Sequence, residues 1–116
     1  MNALVETLER VTRVAGIRGA MLVSESDGLV VAEALAEGLD GAAVAALAAS
    51  LTLRLRRTAQ TAGLTVPAVV QLKAETGTLI TVPAGDDLLL VAVAERDANL
   101  GLARIELKDA ATRLAS

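Results

Sequence analysis

Residues 40–63 read DGAAVAALAASLTLRLRRTAQTAG, and the reading of that stretch organises the rest of the chain. Asp40 is placed to accept N–H groups at a helix start, and Gly63 to take the left-handed conformation that ends one. Between them Val44, Leu47, Ala48, Leu51, Leu55, Thr58 and Ala62 recur at three- and four-residue steps, the spacing of one helical face. That stripe is the expected seat on a core. At about 100° per residue the opposite side carries Ala42, Ala46, Ala49 and Leu53, followed by Arg56, Arg57 and Gln60. A helix wet on its far side would fill it with Lys and Glu from end to end. Alanine's helix propensity explains the small residues, but it leaves Leu53 as a large apolar side chain in water. A second body against this face explains both.

Composition narrows the classes of function. The chain has 116 residues, enough for a single domain over residues 1–116 that buries roughly two thirds of its unfolded surface. It has no His and no Cys, which removes imidazole acid–base chemistry, thiol nucleophiles, disulfides and the common zinc sites together. No catalytic residue, metal site or cofactor site is therefore expected. The absence of Phe, Tyr and Trp argues against base-stacking nucleic-acid modules, and a net charge of −3 against a general phosphate-binding surface. The hydrophobic fraction of 53% contains no run approaching the roughly 18 residues of a membrane span. A signal-peptide pattern is also missing from the N-terminal segment, so a soluble cytoplasmic protein without membrane insertion is expected. A core built only from aliphatic residues and Met gains modestly per residue, and a second subunit would add buried area.

Outward from the helix, the chain alternates clear signals. Residues 2–15, from Asn2 to Ala15, form a first helix with Leu4, Leu8, Val11 and Ala15 inward and Glu6, Glu9, Arg10 and Arg13 outward, closed by Gly16. Residues 19–35 (GAMLVSESDGLVVAEAL) are a hairpin turning at Asp27-Gly28. Its runs Met21-Leu22-Val23 and Leu29-Val30-Val31 lack alternation, as in strands covered on both faces. Ser24, Glu25, Ser26 and Asp27 read as a solvated turn rather than a metal site, which would need several convergent oxygens. After Gly63 three strands are expected: 66–74 (VPAVVQLKA), 78–82 (TLITV) and 88–94 (LLLVAVA). Gly85-Asp86-Asp87 lacks the spacing of a phosphate loop. Residues 97–114 form the last helix, capped by Asp97 or Asn99, with Leu100, Ala103, Leu107, Ala110, Ala111 and Leu114 on one face. Leu102 and Ile105 lie off that face, towards the first helix.

The order α-β-β-α-β-β-β-α describes an α+β domain: one mainly antiparallel five-stranded sheet with helices on both faces. The all-apolar fifth strand belongs at its centre. Pro67 cannot donate to a ladder and marks the third strand as an edge. An open apolar edge invites pairing, so a two-fold axis is expected to join Val69 and Val70 with the Ala42, Ala46, Ala49 and Leu53 face.

The segments GAMLVSESDGLVVAEAL at 19–35 and GDDLLLVAVAERDANLGLARIEL at 85–107, with the long helix and VVQL strand between them, resemble the Roadblock/dynein-light-chain family, in particular its small bacterial mutual-gliding-protein-B type. The resemblance spans essentially the whole chain. It implies a homodimer formed through the second helix and third strand, and a small Ras-like GTPase as partner, whose GTP hydrolysis this chain regulates rather than performs. Leu53, Arg56, Arg57 and Gln60 are the expected docking residues. Arg54, Arg56 and Arg57 are read as cations placed favourably near a helix C-terminus, worth about 0.3–1 kcal/mol, and not as an arginine finger, which needs a loop that reaches a phosphate. An inert scaffold joining other proteins is the alternative.

Overall fold

The computed structural model describes residues 3–115. The elements follow the expected order: α1 (Ala3–Thr12), β1 (Ile17–Ser24), β2 (Val30–Leu35), α2 (Gly41–Thr61), β3 (Val70–Ala74), β4 (Gly77–Pro83), β5 (Leu88–Ala94) and α3 (Leu100–Ala115). The strands form one sheet in the order β2-β1-β5-β4-β3, and every neighbouring pair is antiparallel. β5 is central, as its unbroken apolar run requires, and β3 is an edge. Asn2, the expected start of the first helix, lies outside the described residues.

Strand alternation divides the side chains into two cores. On one face Ala20, Leu22, Ile80, Val82, Leu90 and Ala92 meet Leu8 and Val11 of α1 and Ala103, Leu107, Ala110 and Ala111 of α3. On the other, Met21, Val23, Leu79, Leu89 and Val91 meet Ala45 and Ala48 of α2. Each fully buried leucine or isoleucine contributes roughly 1.5–3 kcal/mol, so β1, β4 and β5 carry most of the stabilisation. The covering is uneven. α1 lies over β1 and β2, and α3 over β4 and β5, whereas α2 alone serves its face and packs chiefly on β1, β2 and β5. On that face β3 is only thinly covered, and Leu72 there is 41% exposed.

Helix ends are set by local chemistry. Asp40 Oδ1 accepts the Ala43 N–H at 3.1 Å. At the far end Gly63 has φ +78, and the N–H groups of Gly63 and Leu64 return to the carbonyls of Gln60 and Ala59. That pair of bonds is a Schellman closure. Of the two candidates for the α3 cap, Asn99 serves, its Oδ1 accepting from Leu102 N at 3.0 Å.

Several boundaries and faces differ from the sequence reading. β1 starts early, at Ile17, and the run Leu29-Val30-Val31 leading into β2 is not covered on both faces, with Leu29 and Val31 exposed. α1 stops at Thr12 instead of Ala15, because three-residue turns through Val14 and Gly16 (φ +89) swing the chain into β1. β3 begins at Val70 instead of Val66, since residues 64–69, including Pro67, cross irregularly from the end of α2 to the sheet edge. The buried face of α2 is rotated: Ala45, Ala48, Ala49, Thr52 and Ala59 point inward, while Leu47 is 49% exposed. The physical reason is packing on the sheet: Ala45 and Ala48 are fully buried against Met21, Val23, Leu89 and Val91. The helix then runs over the hairpin turn, where a Cβ on Gly28 would make ordinary contacts 3.5 Å from Ala49 Cβ and 3.6 Å from Ala46 Cα. Off its stripe, Leu102 joins Arg10, Arg13 and Val14 in a shallow groove beside α1, and Ile105 stays exposed.

Gly16 offers a direct check of these boundaries. A Cβ there would lie 2.5 Å from Ala98 Cβ, in a backbone conformation that L residues rarely adopt. Gly16→Ala is expected to cost about 1 kcal/mol or more, read as a lower urea midpoint with an unchanged m-value.

Candidate functional site

The β1–β2 turn, the β4–β5 turn and α2 meet at one place, around Ser26, Asp87, Glu25 and Arg56. Asp27 Oδ1 accepts the Leu29 N–H at 3.1 Å, and Gly28 sits at φ +70, closing the hairpin turn. Asp87, from the other turn, has φ 57 and reaches across. Its carboxylate accepts the Ser26 N–H at 2.9 Å and the Ser26 hydroxyl at 2.8 Å, with the Ser24 hydroxyl at 3.4 Å. Its carbonyl accepts the Glu25 N–H at 2.9 Å. Glu25 in turn binds Arg56 of α2, Nη2 to Oε1 at 2.6 Å. The turn is thus clasped by two other elements rather than simply solvated.

This clasp bears on the chemistry available. The serine hydroxyls donate to Asp87, not Asp27, and the same carboxylate caps a backbone N–H. With no imidazole in the sequence, a Ser–Asp contact of this kind orders a turn and supplies no activated nucleophile. Nothing local in the sequence marks Asp87 for this role, because its partners stand about sixty positions away and its setting looks like an ordinary turn before a strand.

The expected interaction residues are distributed unevenly. Ala42, Ala46 and Leu53 are exposed on α2, with Leu53 at 46%, and Arg57 and Gln60 are exposed further along. Ala49 is 7% exposed and packs beside the chain's own hairpin turn at Gly28, which leaves it little surface to offer a second chain. Arg56 is half-buried and already paired with Glu25, so its charge is directed inward. Val70 is half-buried at the start of β3; Val69 precedes the strand and packs towards the core formed with α1 and α3. Two residues outside the sequence-derived set complete the surface. Leu47 and Leu72 line a groove of about 310 Å³ with Val44, Leu79 and Val93, between the N-terminal half of α2 and the sheet. Next to Leu53, a second hollow of about 260 Å³ is walled by Ala46, Ser50 and the turn at Asp27-Gly28. One outward surface therefore runs from the β3 edge across α2 to its cations.

The chain belongs to the Roadblock/LC7 domain family, whose profile matches residues 4–94. Among curated proteins it is similar to an uncharacterized protein of Methanocaldococcus jannaschii, 34% identical over 107 residues that make up 92% of this chain and 89% of that protein. Among solved structures it is similar to the gliding protein MglB of Thermus thermophilus, with a TM-score of 0.85 and 27% identity over 99% of this chain and 90% of that one. An MglB with a tetrameric arrangement is comparably similar, with a TM-score of 0.86 and 28% identity over the same shares.

The contrast between neighbouring arginines is testable. Arg56→Gln leaves the Glu25 carboxylate, three-quarters buried, without its cation. With solvent screening at the arginine allowed for, a loss of about 1 kcal/mol is expected. Arg57→Gln, on the exposed side, should stay within about 0.5 kcal/mol of the parent. Urea titration of the two variants side by side distinguishes them.

Proposed function

We propose that this chain is a non-enzymatic regulator that, as a homodimer, binds a small Ras-like GTPase in the cytoplasm and stimulates or organises its GTP hydrolysis. The observation that carries the reading is the uncovered apolar surface of Leu47, Leu53 and Leu72, each of them between two fifths and one half exposed. Membership of the Roadblock family supplies the class of partner, and the MglB relatives support a regulatory rather than a catalytic role. Among the described residues no helix is long and apolar enough to cross a membrane, in keeping with action on a soluble partner.

The surface divides naturally. The groove at Leu47 and Leu72, with Ala42, Ala46 and the backbone edge of β3 from Val70, suits an isologous contact in which edge pairs with edge and helix with helix. Leu53, Arg57 and Gln60 then remain for the GTPase. An apolar centre beside arginine is the composition of a specific interface, where Arg is enriched and Lys and Glu are depleted. Arg56, held by Glu25, is not free to reach a phosphate. Stimulation would work by fixing the GTPase's own catalytic groups around the attacking water, since positioning and preorganised charge account for most of phosphoryl-transfer catalysis.

Light scattering at micromolar concentration should find a dimer, and both Leu47→Asp and Leu72→Asp should shift it towards monomer. A monomeric parent would contradict the proposal. Arg57→Glu should keep the dimer but slow association with the captured GTPase, and lower the salt sensitivity of that association. Pull-down followed by a GTP-hydrolysis assay separates the two roles. Capture with unchanged hydrolysis would replace the regulator with a scaffold.

A further inference from the structure

Between the C-terminal half of α2 and the β3–β4 pair lies a small cavity walled by Thr52, Arg56, Pro67, Val70, Thr81 and Leu89. The space open to the centre of a water-sized sphere is about 10 Å³, roughly one water molecule. Three of its wall residues carry buried polar atoms with no protein partner: Thr52 Oγ1, Thr81 Oγ1 and Arg56 Nε. Thr52 is 9% exposed and Thr81 3%. Thr7, Thr61 and Thr112 each donate to the carbonyl four residues earlier at 3.0 Å, the usual resting place of a helical threonine hydroxyl. Thr52 leaves that bond unmade. Buried polar groups without partners are rare in native proteins, and three around one hollow point to a shared ligand.

We propose that a single buried water occupies this cavity, accepting from Arg56 Nε–H and from one threonine hydroxyl while donating to the other. Three hydrogen bonds are typical for an internal water. Water fits better than an anion, although all three groups can donate. Glu25 already neutralises the Arg56 guanidinium, and a second negative charge beside that pair would be buried without a counterion.

The water completes a chain of contacts through the molecule. Asp87 holds Ser26, Glu25 holds Arg56 Nη2, and the water holds Arg56 Nε against α2 and β4. Arg56 is thereby fixed at two points of its guanidinium, which ties the hairpin turn, the long helix and the sheet together beneath the outward surface. This inference is independent of the partner proposal, since it concerns one chain alone.

A high-resolution crystal structure of the parent chain tests it directly. One density peak is expected within about 2.7–3.2 Å of all three atoms. Thr81→Val keeps the shape of the wall but removes one ligand, and its Tm should fall by at least about 3 °C. A dry cavity in the parent, or a Thr81→Val variant as stable as the parent or more so, would overturn the proposal, because removing an unsatisfied hydroxyl relieves a penalty. An anomalous peak after bromide soaking would also overturn it, by showing an anion site. Should the variant fail to fold, the parent's density decides alone.

Discussion

A sheet whose central strand is apolar at every position must be covered on both faces, and this chain has three helices with which to do it. β5 places Leu90 and Ala92 towards α1 and α3, and Leu89 and Val91 towards α2. Two helices divide one face between them. On the other, α2 lies over the β2–β1–β5 side and leaves the β3 side thinly covered. With no aromatic side chains to span the gap, Leu47 and Leu72 remain half in water. The exposed surface is thus a consequence of how the core is shared out.

The two sheet edges are treated differently. Along β2 the register shifts between Leu22 and Val23, leaving Val31 as an extra residue that interrupts the ladder. Bulges of this kind blunt an edge against pairing. β3 runs in unbroken register from Val70 to Ala74 opposite β4, beside the groove at Leu47. Both edges carry exposed apolar residues, Leu29 and Val31 at β2 and Leu72 at β3, but only β3 presents them on a regular ladder. That conjunction supports pairing there, and it places the cations of α2 at the far end of the same surface.

Much of the fold was legible because its signals are local. Asp27-Gly28 marks a turn by backbone chemistry, Asp40 and Gly63 bound α2 by capping, and the run from Leu88 to Ala94 needs burial on both sides. The candidate surface was less legible. Alanine occurs all round α2, so leucine spacing set the apparent face, whereas the packing of Ala45 and Ala48 on Met21, Val23, Leu89 and Val91 set the real one. Leu47 and Ala49 changed sides as a result. Pro67 identified an edge but not the irregular crossing at residues 64–69 that precedes β3. The inward role of Arg56 depends on Glu25, 31 positions earlier, and the clasp by Asp87 spans 61 positions to Ser26. Such contacts have no periodicity to betray them.

We propose that a second copy of the chain covers the β3 edge and the outer face of α2. Amide hydrogen exchange, followed strand by strand across a dilution series, tests this directly. Protection of residues 70–74 should rise with protein concentration, together with that of the N-terminal half of α2, while residues 30–35 of β2 should exchange at the same rate throughout. Concentration-independent exchange in β3, or protection that appears in β2 instead, would contradict the account.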